Sequence, residues 1–134
     1  MTPYSVVALV YDAAGRVLAV SRKGKPDDLG LPGGKVEAGE TEFSALVREA
    51  YEEVGLSCRF VTEVYRGLDR VAHREPRLCV AYHFDPLSSP HARESGVRVA
   101  WVPWARLLDE RCTYREFNRD LHAYLGVGVE REVT

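Results

Sequence analysis

The stretch Gly34–Leu56 reads GKVEAGETEFSALVREAYEEVGL. Its middle predicts a helix over about Thr41 to Val54. The Thr41 hydroxyl can accept an orphan backbone N–H at the start. Gly55 can end the helix in the left-handed conformation that such ends often need. At about 100° per residue, Glu42, Glu49, Glu52 and Glu53 share one sector. Phe43, Leu46, Val47, Ala50 and Val54 fill another. One face therefore seeks a core and the other is a dense anionic ridge. Like charges at i,i+4 cost a few tenths of a kcal/mol on a bare helix, at roughly 0.2–0.5 per pair. Such a ridge makes sense against something cationic, and hard divalent ions such as Mg²⁺ take carboxylate oxygens.

The spacing narrows this further. Gly34 is followed by Glu40, then by Arg48-Glu49, Ala50, Glu52-Glu53 and Gly55-Leu56. This resembles the Nudix box, G-x5-E-x7-R-E-U-x-E-E-x-G-U, where U is a bulky aliphatic residue. The one departure is Ala50, small where the pattern prefers Ile, Leu or Val. It lies on the apolar sector, so it touches packing rather than chemistry.

Around this stretch, 134 residues with 46% hydrophobic and 28% charged content fit one domain, 1–134, with a single core. The net charge of −2 implies no surface for coating nucleic-acid polymers. Cys58, Cys79 and Cys112 are odd in number and lack metal-ligand spacing, so they read as free thiols of a reducing, cytoplasmic setting. No apolar run approaches the roughly 18 residues of a membrane span. The N-terminus lacks the basic and apolar regions of a signal peptide.

Ser5–Tyr11 and Val17–Arg22 read as strands of one hairpin, with Asp12–Gly15 as the turn. Lys23–Gly30 reads as a polar loop, either a solvated connection or one that brings Arg22, Lys23 or Lys25 to substrate phosphate. Pro32 argues against a long strand at Leu31–Val36, and Gly33 and Gly34 permit a backbone path closed to other residues. Arg59–Tyr65, Arg77–Phe84 and Val97–Val102 read as further strands. The loop Gly67–Pro76, with Arg70, His73 and Arg74, reads as a hairpin tip or a lid. Pro103 fits the first turn of a short helix through Leu108. Tyr114–Leu125 places Phe117, Leu121, Tyr124 and Leu125 at helical spacing, and Glu130–Thr134 reads as frayed. The pattern is α+β with a mixed sheet. The resemblance implies the Nudix α/β/α sandwich.

It also implies an enzyme. Members hydrolyse a phosphoanhydride in nucleoside diphosphate derivatives, using Mg²⁺ or Mn²⁺. By resemblance, Glu52 and Glu53 are metal ligands, and Glu49 is a further ligand or the base. A backbone carbonyl at Gly33 or Gly34 adds a donor. Arg48 ion-pairs with a box glutamate, and Glu40 is structural. The extra carboxylate that many members recruit is placed at Glu94, with Asp85, Glu75 and Asp69 in competition. Arg22, Lys23, Lys35, Arg70 and Asn118 are the substrate-binding candidates. Tyr4, Tyr82, Trp101, Phe117 and Asn118 read as core packing first and as base contacts second. Nucleoside triphosphates or oxidised nucleotides are favoured on family analogy. ADP-ribose, dinucleoside polyphosphates, non-nucleotide pyrophosphates, a non-catalytic nucleotide-sensing role and a homodimer stay open.

Overall fold

The computed structural model describes residues 4–70 and 75–133, and of 127–133 the backbone alone. Helix α1 runs Glu42–Val54. The Thr41 side chain accepts from the Ser44 N–H at 3.0 Å, and the Ser44 hydroxyl accepts from the Thr41 N–H at 3.1 Å. This closes a reciprocal cap on two orphan donors. At the other end Gly55 has φ +71°, and its N–H reaches the Tyr51 carbonyl at 2.9 Å.

The strands are β1 (Ser5–Leu9), β2 (Val17–Arg22), β3 (Lys25–Gly30), β4 (Gly33–Lys35), β5 (Cys58–Asp69), β6 (Arg77–Pro86) and β7 (Val99–Val102). They form two sheets, ordered β4-β1-β6-β5 and β3-β2-β7. β1 runs parallel to β6 and antiparallel to β4. Helix α2 is Trp104–Leu107 and α3 is Arg115–Val133.

Alternation along β1 sends its residues into two core layers. Val6, Ala8 and Val10 pack with Ala45, Leu46, Ala50 and Val54 of α1 and with Val80 and Phe84 of β6. Leu9 packs on the other side, with Leu107 of α2, Phe117 and Leu121 of α3, and Leu29 of β3. Each such fully buried aliphatic or aromatic side chain contributes about 1.5–3 kcal/mol. Helices thus cover both sides of the strands, the expected α+β sandwich. The first layer fixes α1 against β1 and β4, and so sets where its glutamates stand.

Four local expectations change. Lys23–Gly30 is not a loop. Arg22 pairs with Lys25 across a two-residue Lys23-Gly24 turn, and β3 follows as an edge strand. Pro26 is tolerated because an edge strand needs no donor on its outer side. β1 and β2 are not one hairpin. A single bridge, Tyr11 with Val17, joins them before they diverge into different sheets. The Gly67–Pro76 loop is shorter than expected, because pairing with β6 carries β5 on to Asp69. His73 and Arg74 lie outside the described residues. Finally, α3 continues in backbone past Leu125 to Val133.

Candidate functional site

Helix α1 is rotated relative to its apolar sector. Ala45, Leu46, Ala50 and Val54 are buried, but Phe43 and Tyr51 are half exposed. On a helical wheel the buried arc is centred near Leu46 and Glu53 rather than near Phe43, at about 100° per residue. Part of the acidic ridge is turned inward, against β4. The Glu49 side chain is only 16% exposed, whereas Glu52 remains 57% exposed.

The inward glutamates meet backbone where two glycines stand. The Gly33 N–H donates to Glu53 Oε1 at 3.2 Å. A Cβ on Gly34 would collide with the Glu49 carboxylate. Burial raises the pKa of Glu49, and the neighbouring Arg48 opposes the rise. Burial pushes Glu53 up to about 8; the Gly33 N–H opposes this, and the charges of Glu49 and Glu52 add to it. These carboxylates cannot all ionise cheaply unless a cation offsets their charge.

Arg48 ties the ridge together. Its Nε and Nη2 donate to the two oxygens of Glu40, both at 2.8 Å. Its Nη1 donates to Glu49 at 2.8 Å and to Glu52 at 3.3 Å, and Nη2 also reaches the Lys35 carbonyl at 3.0 Å. The planar guanidinium alone has donors enough, in a fixed fork, for this set. Glu40 also accepts from the Glu37 N–H at 2.9 Å. Hydrogen bonds from Arg48 and then Glu37 hold its carboxyl down to about 2.

Two hollows flank this assembly. One is an acidic cleft of about 280 Å³ lined by Glu52, Glu53, Glu94, Lys23, Ser21 and Val97. There Lys23 Nζ lies 2.9 Å from Glu94 Oε1. The other is a cavity of about 150 Å³ on the far side of β4. Its wall includes Gly33, Gly34 and Lys35, with Tyr114, Phe117 and Asn118 from the start of α3. Strand β4 is therefore shared, with the ridge behind it and the aromatic cavity before it.

The expected site residues divide accordingly. Arg48, Glu49, Glu52, Glu53, Gly33 and Gly34 come together, and Glu94 joins at the cleft. Lys35, Tyr4, Phe117 and Asn118 line the second cavity. Asn118 is buried, and its Nδ2 donates to the Leu107 carbonyl at 3.2 Å. Arg22 stands elsewhere, donating to Thr113 at 3.2 Å near Asp28. Arg70 is exposed just past the end of β5 and is not part of either wall. Tyr82 donates to Glu42 at 2.8 Å, and Trp101 packs against the α1 core. Asp85 faces Arg59 at 3.9 Å, and Asp69 lines the aromatic cavity with Arg77. Glu75 is exposed. Sequence reasoning missed Tyr114, although it stands three and four residues before Phe117 and Asn118, immediately ahead of α3.

Among the described residues, no three acidic, His or Cys side chains converge tightly enough to form a closed cation cage as they stand. The donor set nonetheless suits a hard divalent ion. Its side-chain donors are oxygens only, the carboxylates of Glu49, Glu52, Glu53 and Glu94, and burial raises the pKa of two of them, Glu49 and Glu53.

The chain matches the NUDIX domain family model over residues 1–125. It is 37% identical over 100 residues to a Mycobacterium tuberculosis protein provisionally named 8-oxo-dGTP diphosphatase 2, covering 71% of this chain and 70% of that one. It is 41% identical over 59 residues to the CTP pyrophosphohydrolase of Escherichia coli, covering 42% and 44%. Among solved structures, the E. coli ORF135 protein superposes with a TM-score of 0.71 at 26% identity, covering 95% of this chain and 91% of that one.

Proposed function

Because the chain belongs to the Nudix hydrolase family, we propose that it hydrolyses a phosphoanhydride bond in a nucleoside diphosphate derivative, with a nucleoside triphosphate or an oxidised nucleotide as the favoured substrate. The observation that carries this reading is the shared strand β4, with an acidic ridge on one side and an aromatic cavity on the other. A nucleotide has two matching parts, a polyphosphate and a flat base.

In this reading Glu49, Glu52, Glu53 and Glu94 would hold Mg²⁺ or Mn²⁺, together with a carbonyl of Gly33 or Gly34. The ion, when bound, supplies charge neutralisation at phosphate oxygens and lowers the pKa of water. The protein's part is placement and proton handling. Arg48 fixes the aim of Glu49 and Glu52. Glu49 or Glu53, both partly desolvated, would take the proton of the attacking water. Lys23 at the cleft and Lys35 at the cavity offer positive charge to the phosphates. Phe117 and Tyr114 offer faces to a base, and the buried Asn118 amide offers polar atoms to its edge. The similarity to proteins named for 8-oxo-dGTP and CTP supports a nucleoside triphosphate.

A product-release panel tests this. Purified protein with Mg²⁺ or Mn²⁺ is given normal and oxidised nucleoside triphosphates, ADP-ribose and dinucleoside polyphosphates, with a chelator control. One triphosphate standing well above the rest, and lost with chelator, is expected. Equal inactivity on every compound would contradict the proposal.

A further inference from the structure

Glu94 sits on an exposed segment, the connection from β6 to β7, yet four contacts fasten that connection to the end of α1 and the residues that follow it. The Leu87 N–H donates to the Ser57 carbonyl at 2.9 Å. The Ser88 hydroxyl donates to the Gly55 carbonyl at 3.4 Å. The His91 N–H donates to the Val54 carbonyl at 3.0 Å, and so satisfies an acceptor at the helix end. The Arg93 guanidinium lies 4.5 Å from the centre of the Tyr51 ring. A Cβ at Gly55 would strike the His91 ring, so the same residue that ends the helix also makes room for this connection. On the opposite side, the Gly24 N–H donates to the Gly96 carbonyl at 2.9 Å and Lys23 pairs with Glu94. Glu94 is therefore suspended between the helix end and the β2–β3 turn, at the cleft that Glu52 and Glu53 line.

Tyr51 lies one position before Glu52 on the same helix, and Arg93 lies one position before Glu94. Their stack joins the two backbones next to the two carboxylates. We propose that Tyr51 and Arg93 are positioning residues. Their stack sets the distance of Glu94 from the helix carboxylates, and so lets Glu94 share a divalent cation with them. This rests on the reading of the acidic cleft as the cation site. An aromatic face is what the guanidinium needs, and the Tyr51 hydroxyl is not required.

The test reads Mn²⁺ binding without substrate, by the spin-resonance signal of free Mn²⁺. Wild type, Tyr51→Ala, Tyr51→Phe, Arg93→Gln, Glu94→Gln and the double variant Tyr51→Ala/Glu94→Gln are titrated. Tyr51→Ala and Arg93→Gln are expected to weaken binding by about twofold to fivefold, the range for an exposed cation–π contact. Tyr51→Phe should bind as wild type does. Glu94→Gln should weaken binding at least as much as Tyr51→Ala, and the double variant should bind no more weakly than Glu94→Gln. The inference is overturned if Tyr51→Ala binds like wild type, or if it weakens binding equally with Glu94 already replaced. Wild-type protein that binds no Mn²⁺ would instead overturn the cation site itself, and the inference with it.

Discussion

The Glu49 carboxylate fills the space that a side chain on Gly34 would need. Glycine at position 34 is thus a matter of site geometry as well as backbone path. Any larger residue must push Glu49 off the wall of β4. Gly34→Ala is therefore expected to cut turnover by about 100-fold, the scale of a 1 Å misplacement at a reacting centre. Steady-state kinetics on the preferred substrate, with melting to confirm the fold, checks this. Wild-type turnover would show that Glu49 needs no such seat.

Arg48 makes a different kind of demand. It serves Glu40, Glu49, Glu52 and the Lys35 carbonyl at once. Lysine keeps the charge and loses the fork. Arg48→Lys should lower kcat by about 10- to 100-fold, within the range for groups that orient metal-site ligands. Equal rates for the lysine and arginine proteins would mean that charge alone suffices.

Glu53 links the site to stability. Its pKa in the folded, metal-free protein stands at about 8, above the ordinary 4.5. A carboxyl raised on folding binds more protons in the folded state than in the unfolded one. Its stabilising contribution is complete below about 4.5 and is lost as pH rises through about 8. Metal-free protein should therefore lose stability between those values, by at most a few kcal/mol, counting about 1.4 kcal/mol per pKa unit. Glu53→Gln should flatten that slope and be the more stable protein at pH 9. Denaturant titrations at pH 5, 7 and 9 with chelator present measure it.

Asn118 has a structural contact and, in the proposed reading, a place beside the base, and the two can be separated. Its Nδ2 holds the buried Leu107 carbonyl, so Asn118→Ala should cost about 1–3 kcal/mol of stability. Its place at the aromatic cavity predicts, in addition, a flatter preference among bases. Ratios of kcat/KM across nucleoside triphosphates, taken at a temperature where the variant is folded, report the second effect apart from the first.

The extent of helix α1 was legible in the sequence. Its caps, its length and the spacing of its glutamates are local properties, and Thr41 and Gly55 stand at its ends as expected. Its rotation was not legible. The apolar sector alone points Phe43 and Val47 inward, but contact with β4 turns Glu49 and Glu53 inward instead. That preference arises from the Gly33 N–H and the space over Gly34, which lie in another element. β3 was missed for a related reason. Lys25, Pro26, Asp27 and Asp28 have poor strand propensity. The strand is held from outside, by Arg98 on the Pro26 carbonyl at 3.2 Å and by the Thr113 N–H on Asp28 at 2.8 Å. The Lys23-Gly24 turn was the one local hint. Arg22 looked like a phosphate contact because of its charge, and only tertiary pairing gives it to Thr113 and Asp28.

The most direct test is turnover of Glu53→Gln beside wild type, on the best substrate of the panel, at saturating Mg²⁺ or Mn²⁺. Glutamine keeps the size of the side chain and an oxygen for the Gly33 N–H. It removes the charge and the proton acceptor. The account predicts a folded protein whose kcat falls by about 100- to 10,000-fold, the scale of losing a base at the reacting centre. A folded variant that turns over at the wild-type rate would contradict the assignment of the ridge as the catalytic centre.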